Sequence, residues 1–110
     1  MKPEILDTNS MTWRPFADAP GVQYKVLRHH EGRRGITLLL QFAPGAHYPA
    51  HRHPQGEEYW VVEGSMQDGG HEYGPGTYVW QPPDSVHRPS SREGCILLIV
   101  LPAHIERLDA

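Results

Sequence analysis

Glycine and proline together make up a fifth of this chain, 11 of each in 110 residues. Punctuation that dense interrupts long helices, whereas it suits short strands joined by tight turns. The segments between the breaks read as strands. Residues 22–28 and the apolar run 36–42 (ITLLLQF) flank a polar turn at 29–35 (HHEGRRG), which predicts a hairpin. The run 36–42 has too few polar breaks for a strand buried on one face only. Beyond Pro44 and Gly45 come strand-like pieces around 47–53 and at 57–63, 77–81, 86–88 and 95–101, with turns at Gly64 and at Gly69 and Gly70. Short strands with turns at regular intervals indicate an all-β sandwich or barrel. Residues 1–21, where Pro3, Pro15 and Pro20 surround Trp13 and Phe16, read as an extended arm pinned by its aromatics, leaving 22–110 as the barrel.

The length serves one compact domain and is too short for two independent cores. Lysines and arginines number 10 against 13 acidic residues, a formal charge of −3. The only basic cluster, 28–34, is diluted by Glu31 and Gly32, so no nucleic-acid partner is expected. The longest apolar runs, 36–40 and 95–101, are far shorter than the roughly 20 residues of a membrane helix, and no membrane association is expected. The opening MKPEILDTNS has no apolar core of a secretory signal, and the single Cys95 forms no internal disulfide. A soluble, cytoplasmic protein is the expectation.

Eight histidines are more than such a chain needs for its surface, and their spacing is informative. His51 and His53 stand two apart, and alternate side chains of a strand share a face, so their imidazoles point the same way. Pro54, Gln55 and Gly56 then turn the chain, and Glu57 opens the next strand, where its carboxylate returns beside the imidazoles. His87, beyond Pro82 and Pro83, returns to the same interior if the barrel closes. These four residue types form a ligand set for a divalent cation. Glu58, the neighbour of Glu57, points to the opposite face. His29, His30, His71 and His104 have no patterned partner and read as ordinary surface histidines, and His47 is placed near the barrel mouth. Cys95 reads as a small core residue. If Glu57 faces inward, so do Tyr59 and Val61, while Trp60 and Val62 face outward, Trp60 hinting at an interface.

Gly45, His51, His53, Glu57 and Gly64 stand at the spacing of the first cupin motif, G-x5-H-x-H-x3-E-x6-G. Gly76, Pro82 and His87 match the second, G-x5-P-x-G-x2-H-x3-N, with Asp84 where the motif has glycine and Ser91 where it has asparagine. The stretches HRHPQGEEYWVVEG, GTYVWQPPDSVH and EGC, with the preceding LLLQFAPGA, resemble the ChrR-type cupin subgroup from about Trp13 to Leu101. That subgroup includes the cupin domain of zinc-dependent anti-sigma factors and proteins similar to acetylacetone dioxygenase.

The resemblance implies a double-stranded β-helix, or jelly-roll, barrel holding one divalent ion per chain on His51, His53, Glu57 and His87. It also places Val79 and Gln81 on the inner wall with Tyr59 and Val61, as a substrate pocket. The ion is iron, zinc, manganese or nickel. Four protein ligands in a zinc tetrahedron make a closed site, whereas an octahedral iron, manganese or nickel site keeps two positions open for chemistry. The function expected is a metal-dependent oxygenase, a dioxygenase-type oxidoreductase acting on a small oxygen-chelating substrate such as a diketone. The alternative is a non-catalytic metal-binding sensor or ligand-binding module resembling the cupin domain of ChrR-type anti-sigma factors, whose additional cysteines this chain lacks. A homodimer is expected, with the proline-rich arm available to cover a sheet edge.

Overall fold

Short strands separated by glycine and proline turns carry nearly all of the regular structure. The computed structural model describes residues 1–108. Its strands are β1 (Arg14–Phe16), β2 (Ala19–His29), β3 (Ile36–Phe42), β4 (His51–His53), β5 (Glu57–Gly64), β6 (Met66–Asp68), β7 (His71–Tyr73), β8 (Tyr78–Gln81), β9 (Ser85–His87), β10 (Cys95–Leu101) and β11 (Glu106–Arg107). A six-stranded sheet has the order β1-β2-β3-β10-β5-β8 and faces a three-stranded sheet β11-β4-β9, with the β6-β7 hairpin beside them. This is an all-β barrel, as the turn spacing predicts, in the jelly-roll form that the cupin resemblance implies. No helix among the described residues is long and apolar enough to cross a membrane.

The run 36–42 pairs with 22–29 as an antiparallel hairpin and, on its other edge, with β10, from Cys95 opposite Phe42 to Leu101 opposite Ile36. Alternate residues of these strands fill the barrel: Val22, Leu38, Leu40, Phe42, Val61, Leu97 and Ile99 are all buried. Each such side chain removed from water contributes about 1.5–3 kcal/mol.

The first 21 residues are more structured than an extended arm. Residues 14–16 form β1, which pairs with β2 (Arg14 opposite Tyr24), and β2 itself begins at Ala19. Trp13 lies on Lys25 with the ammonium 4.4 Å from its ring, and Phe16 packs on Tyr24 and Tyr48 with ring centroids 4.6 and 5.3 Å apart. Both aromatics are therefore held by their own chain. The β6-β7 hairpin closes through Gly69 and Gly70, Asp68 standing opposite His71.

Gly64 ends β5 at a φ of +76°, and a Cβ there would run into the Gly94 carbonyl. Gly64→Ala is expected to cost about 2–4 kcal/mol, the left-handed backbone penalty plus the clash. Gly45 has a φ of +84° with open space around it, so Gly45→Ala should cost only about 1–2 kcal/mol. Urea melts of the two variants check this, and equal losses would show that the close approach at Gly64 contributes nothing.

Candidate metal centre

On β4, His51 and His53 are buried and the intervening Arg52 is not. The register with β9 sets His87 directly opposite His51 and Ser85 opposite His53. The turn after His53 is tight: Gly56 N–H and Asp84 N–H both donate to the His53 carbonyl, at 3.1 and 2.8 Å. Gly56 has a φ of +83°, and a Cβ on it would lie 2.6 Å from the Gln81 carbonyl oxygen. Only glycine delivers Glu57 to the start of β5 at this height. Asp84, where the cupin motif carries glycine, keeps the left-handed backbone at φ 69°, a conformation that aspartate tolerates better than most residues. Its carboxylate also pairs with Arg52, which holds Glu106 of β11 as well.

The three imidazoles converge. Nε2 of His51 lies 3.0 Å from Nε2 of His53 and 2.9 Å from that of His87, and the His53–His87 separation is 2.8 Å. Glu57 Oε1 lies 3.5 Å from His53 Nε2 and 3.7 Å from His87 Nε2, and is otherwise without a hydrogen-bond partner. His51, His53 and His87 form one group whose donor atoms could hold an ion, with Glu57 at its side.

Hydrogen bonds on the far side of two rings fix what meets in the middle. His51 Nδ1–H donates to the Pro49 carbonyl at 2.8 Å, and His87 Nδ1–H donates to Asp68 Oδ2 at 2.8 Å. Each neutral ring carries one N–H, so both Nε2 atoms present lone pairs to each other. Two acceptors at that distance repel unless a cation lies beside them, either a metal ion or a proton on His87, whose pKa is raised. With bonds of about 2.1 Å, adjacent donors around one ion stand about 3.0–3.4 Å apart. The three nitrogens, 2.8–3.0 Å apart, and the Glu57 oxygen, 3.5 and 3.7 Å from two of them, lie near that range. The residues present therefore fit a divalent ion.

In the metal-free site the shifts divide the four side chains. Burial lowers the pKa of His51 to about 4 and of His53 to about 3, so both are neutral ligands at physiological pH. Burial raises the Glu57 carboxyl to about 7, against an opposing pull from His87. Burial alone would lower His87, but Asp68 and Glu57 outweigh it and leave it raised.

Asp68 is the participant that the sequence hid. It is buried, and Oδ2 accepts from His87 Nδ1, from Tyr59 OH at 3.1 Å and from Gln81 Nε2 at 3.1 Å. Burial would raise its pKa, but these hydrogen bonds hold it below the usual carboxylate value. Next to Gly69 and Gly70 it looks like a turn residue, and nothing in its spacing links it to His87.

A cavity of about 70 Å³ adjoins the three histidines, and its wall is largely aliphatic, with Leu38, Leu40, Leu97 and Ile99 opposite the imidazoles. Of the four residues assigned to a pocket, Tyr59 lines this cavity. Val61 is fully buried in the core, Val79 packs against that core, and Gln81 faces Asp68. Tyr48 and Ile105 also line the cavity, and Arg107 covers Tyr48, its guanidinium 4.6 Å from the ring, while pairing with Asp18 at 3.0 Å. Among the remaining histidines, His29, His47, His71 and His104 are exposed and His30 bonds Thr37 Oγ1 at 2.8 Å.

Comparison with known proteins places the chain. The model of the ChrR cupin-like domain matches residues 1–104. No match was found among curated proteins. Among solved structures, an RmlC-like cupin protein of Ralstonia eutropha is 25% identical, with a TM-score of 0.87 over 99% of this chain and 74% of that one. An acetylacetone dioxygenase of Acinetobacter johnsonii is 16% identical, with a TM-score of 0.84 over 99% and 78%. The anti-sigma factor ChrR of Rhodobacter sphaeroides, solved in complex with SigE, is 24% identical, with a TM-score of 0.73 over 84% of this chain and 49% of that one. The last two likenesses are of fold.

Proposed function

The chain belongs to the ChrR cupin-like domain family, and we propose that within it this protein is a metal-dependent oxygenase acting on a small oxygen-chelating substrate such as a 1,3-diketone. The observation that carries the reading is the triangle of His51, His53 and His87, with Nε2 atoms 2.8–3.0 Å apart and an aliphatic cavity beside it. In this reading the three histidines and Glu57 hold one divalent ion. Bound there, the ion supplies a Lewis-acidic centre of formal charge +1, favourable to an enolate oxygen, and with iron it adds redox chemistry toward dioxygen. The chain's own part is positional. Asp68 holds His87 in the tautomer that directs Nε2 inward, and the Pro49 carbonyl does the same for His51. Leu38, Leu40, Leu97 and Ile99 keep water from the cavity and restrict the occupant to a compact, mainly apolar group.

The second reading, a metal-binding sensor or ligand-binding module, draws on the same family membership. The aliphatic cavity beside the three histidines supports the first reading, since it offers a substrate a place next to the ion. Iron-loaded protein is expected to consume oxygen with at least one member of a panel of 1,3-diketones and hydroxyaryl ketones, measured with an oxygen electrode. No consumption across the panel, together with tightly held zinc, would replace the oxygenase with the sensor.

A further inference from the structure

The cavity beside the histidines does not end at its aliphatic wall. A second cavity, of about 290 Å³, lies behind it, between the turn that joins β2 to β3 and the segment 103–105. Phe16, Leu38, Tyr48, Leu101 and Ile105 line both, so one layer of side chains parts them. Ile105 belongs to the stretch between β10 and β11, outside the sheets, and can swing aside without breaking a ladder. At about 70 Å³ the first cavity alone is too small for a typical ligand, whereas the second brings the pair to the lower end of the roughly 300–1,000 Å³ that ligand sites occupy. The second cavity is also where the barrel interior stays open. Tyr24, Val26, Ile36 and Leu101 carry the inward pattern of β2, β3 and β10 to this end, yet they are only half-buried.

The rim of this second cavity is basic. Val26 stands opposite Leu38, and a bulge at Leu27 then sets Arg28 opposite Thr37 and His29 opposite Ile36. Without the extra residue Arg28 would share the inner face with Ile36; with it, His29 does, and Arg28 turns outward toward Glu31, 4.0 Å away. Gly35 is buried, and a Cβ on it would clash with the Leu101 and Pro102 carbonyls, so the turn, and Arg34 with it, lies close against the end of β10. Arg34, His29 and His104 form the polar part of the lining, and none of the described lining residues is acidic. Arg34 itself pairs with no carboxylate among the described residues. We propose that the two cavities together take one elongated anion: a 1,3-dioxo head beside the histidines, an apolar chain past Leu38 and Ile105, and a terminal carboxylate at Arg34. The place of the head rests on the oxygenase reading, whereas the sites for chain and carboxylate stand on the second cavity alone. Each methylene that enters leaves water for an aliphatic wall, which favours a chain over a short diketone. The guanidinium offers a carboxylate two parallel N–H donors and fixes which end of the molecule stays outside.

Octanoate and octan-1-ol, titrated calorimetrically into metal-free full-length protein, test the chain and carboxylate sites without any turnover. Octanoate is expected to bind at least tenfold more tightly than octanol, about the effect of one hydrogen bond between charged groups. Arg34→Gln should abolish that difference by weakening octanoate alone. Val26→Trp, whose added bulk the second cavity has the volume to admit, should weaken both probes at least tenfold, and both variants should keep native metal content. Arg34 lies on an exposed turn, so its variant decides the matter even if Val26→Trp fails to fold. No binding of octanoate, equal binding of the two probes, or an octanoate affinity that survives Arg34→Gln overturns the proposal. With iron, a 1,3-diketone carrying a carboxylate-ended chain should show a KM at least tenfold below that of acetylacetone, and Arg34→Gln should raise it at unchanged kcat. Octanoate binding that meets these expectations without oxygen consumption would remove the oxygenase and leave the chain site standing. Oxygen consumption with a KM indifferent to the chain would remove the chain site and leave the oxygenase.

Discussion

His51→Ala and His87→Ala are each expected to reduce the metal content of the purified protein from about one ion per chain to less than a tenth of that, while the fold survives. Each substitution takes one of three donors from a triangle whose edges are 2.8–3.0 Å, and Glu57 alone does not replace it. The cost to folding should be small, because the metal-free site sets the lone pairs of these two rings against each other. Removing one relieves that repulsion and offsets the lost packing. A ligand present at 100 times its dissociation constant stabilises by about 2.7 kcal/mol, and about 4–8 °C of melting temperature accompanies each kcal/mol in a domain this size. Native protein should therefore melt roughly 10–20 °C higher with saturating metal than after chelation, a rise that both variants lose. His71→Ala and His104→Ala, at exposed positions, should keep full metal content. Elemental analysis of the purified proteins reads the result, and full retention in both His51→Ala and His87→Ala would contradict the assignment.

Asp68→Asn is expected to weaken metal affinity about 10–100-fold without removing the ion's own donors. The carboxylate accepts from His87, Tyr59 and Gln81 through one oxygen, and its charge makes the His87 ring a better donor at Nε2. Asparagine keeps an acceptor oxygen of the same size, so the change isolates charge from shape. Asp68→Ala leaves three buried donors unpaired, each costing about 1–3 kcal/mol, and should be markedly destabilised as well. Competition with a chromophoric chelator measures the affinity. An affinity of the Asp68→Asn variant within twofold of native would show that hydrogen-bond geometry alone orients His87.

Most of the architecture was legible because it rests on local rules. Glycine and proline set the turns, and period-two alternation set the inward side of β5, where Glu57, Tyr59 and Val61 are buried and Glu58, Trp60 and Val62 are exposed. The His51–His53 pair follows from the same parity. Short strands were harder: residues 14–16, 66–68 and 71–73 are too brief to show alternation, and β1 in particular is defined by its pairing with β2. Asp68 lay beyond sequence reasoning because its role depends on three partners at separations of 9, 13 and 19 residues, brought together only by the packing of the β6-β7 hairpin. Tyr48 and Arg107 meet for the same reason, 59 residues apart. The departure at Asp84 was visible in the sequence, but its accommodation was not: it requires knowing that Arg52 stands across from it.

The most direct test is an anomalous-diffraction map from crystals of metal-loaded protein, collected at the absorption edge of the bound element. The account predicts one peak about 2.1 Å from Nε2 of His51, His53 and His87, within bonding reach of Glu57 and with its remaining side turned to the aliphatic cavity. A peak coordinated elsewhere, or none in protein shown to carry metal in solution, would contradict it.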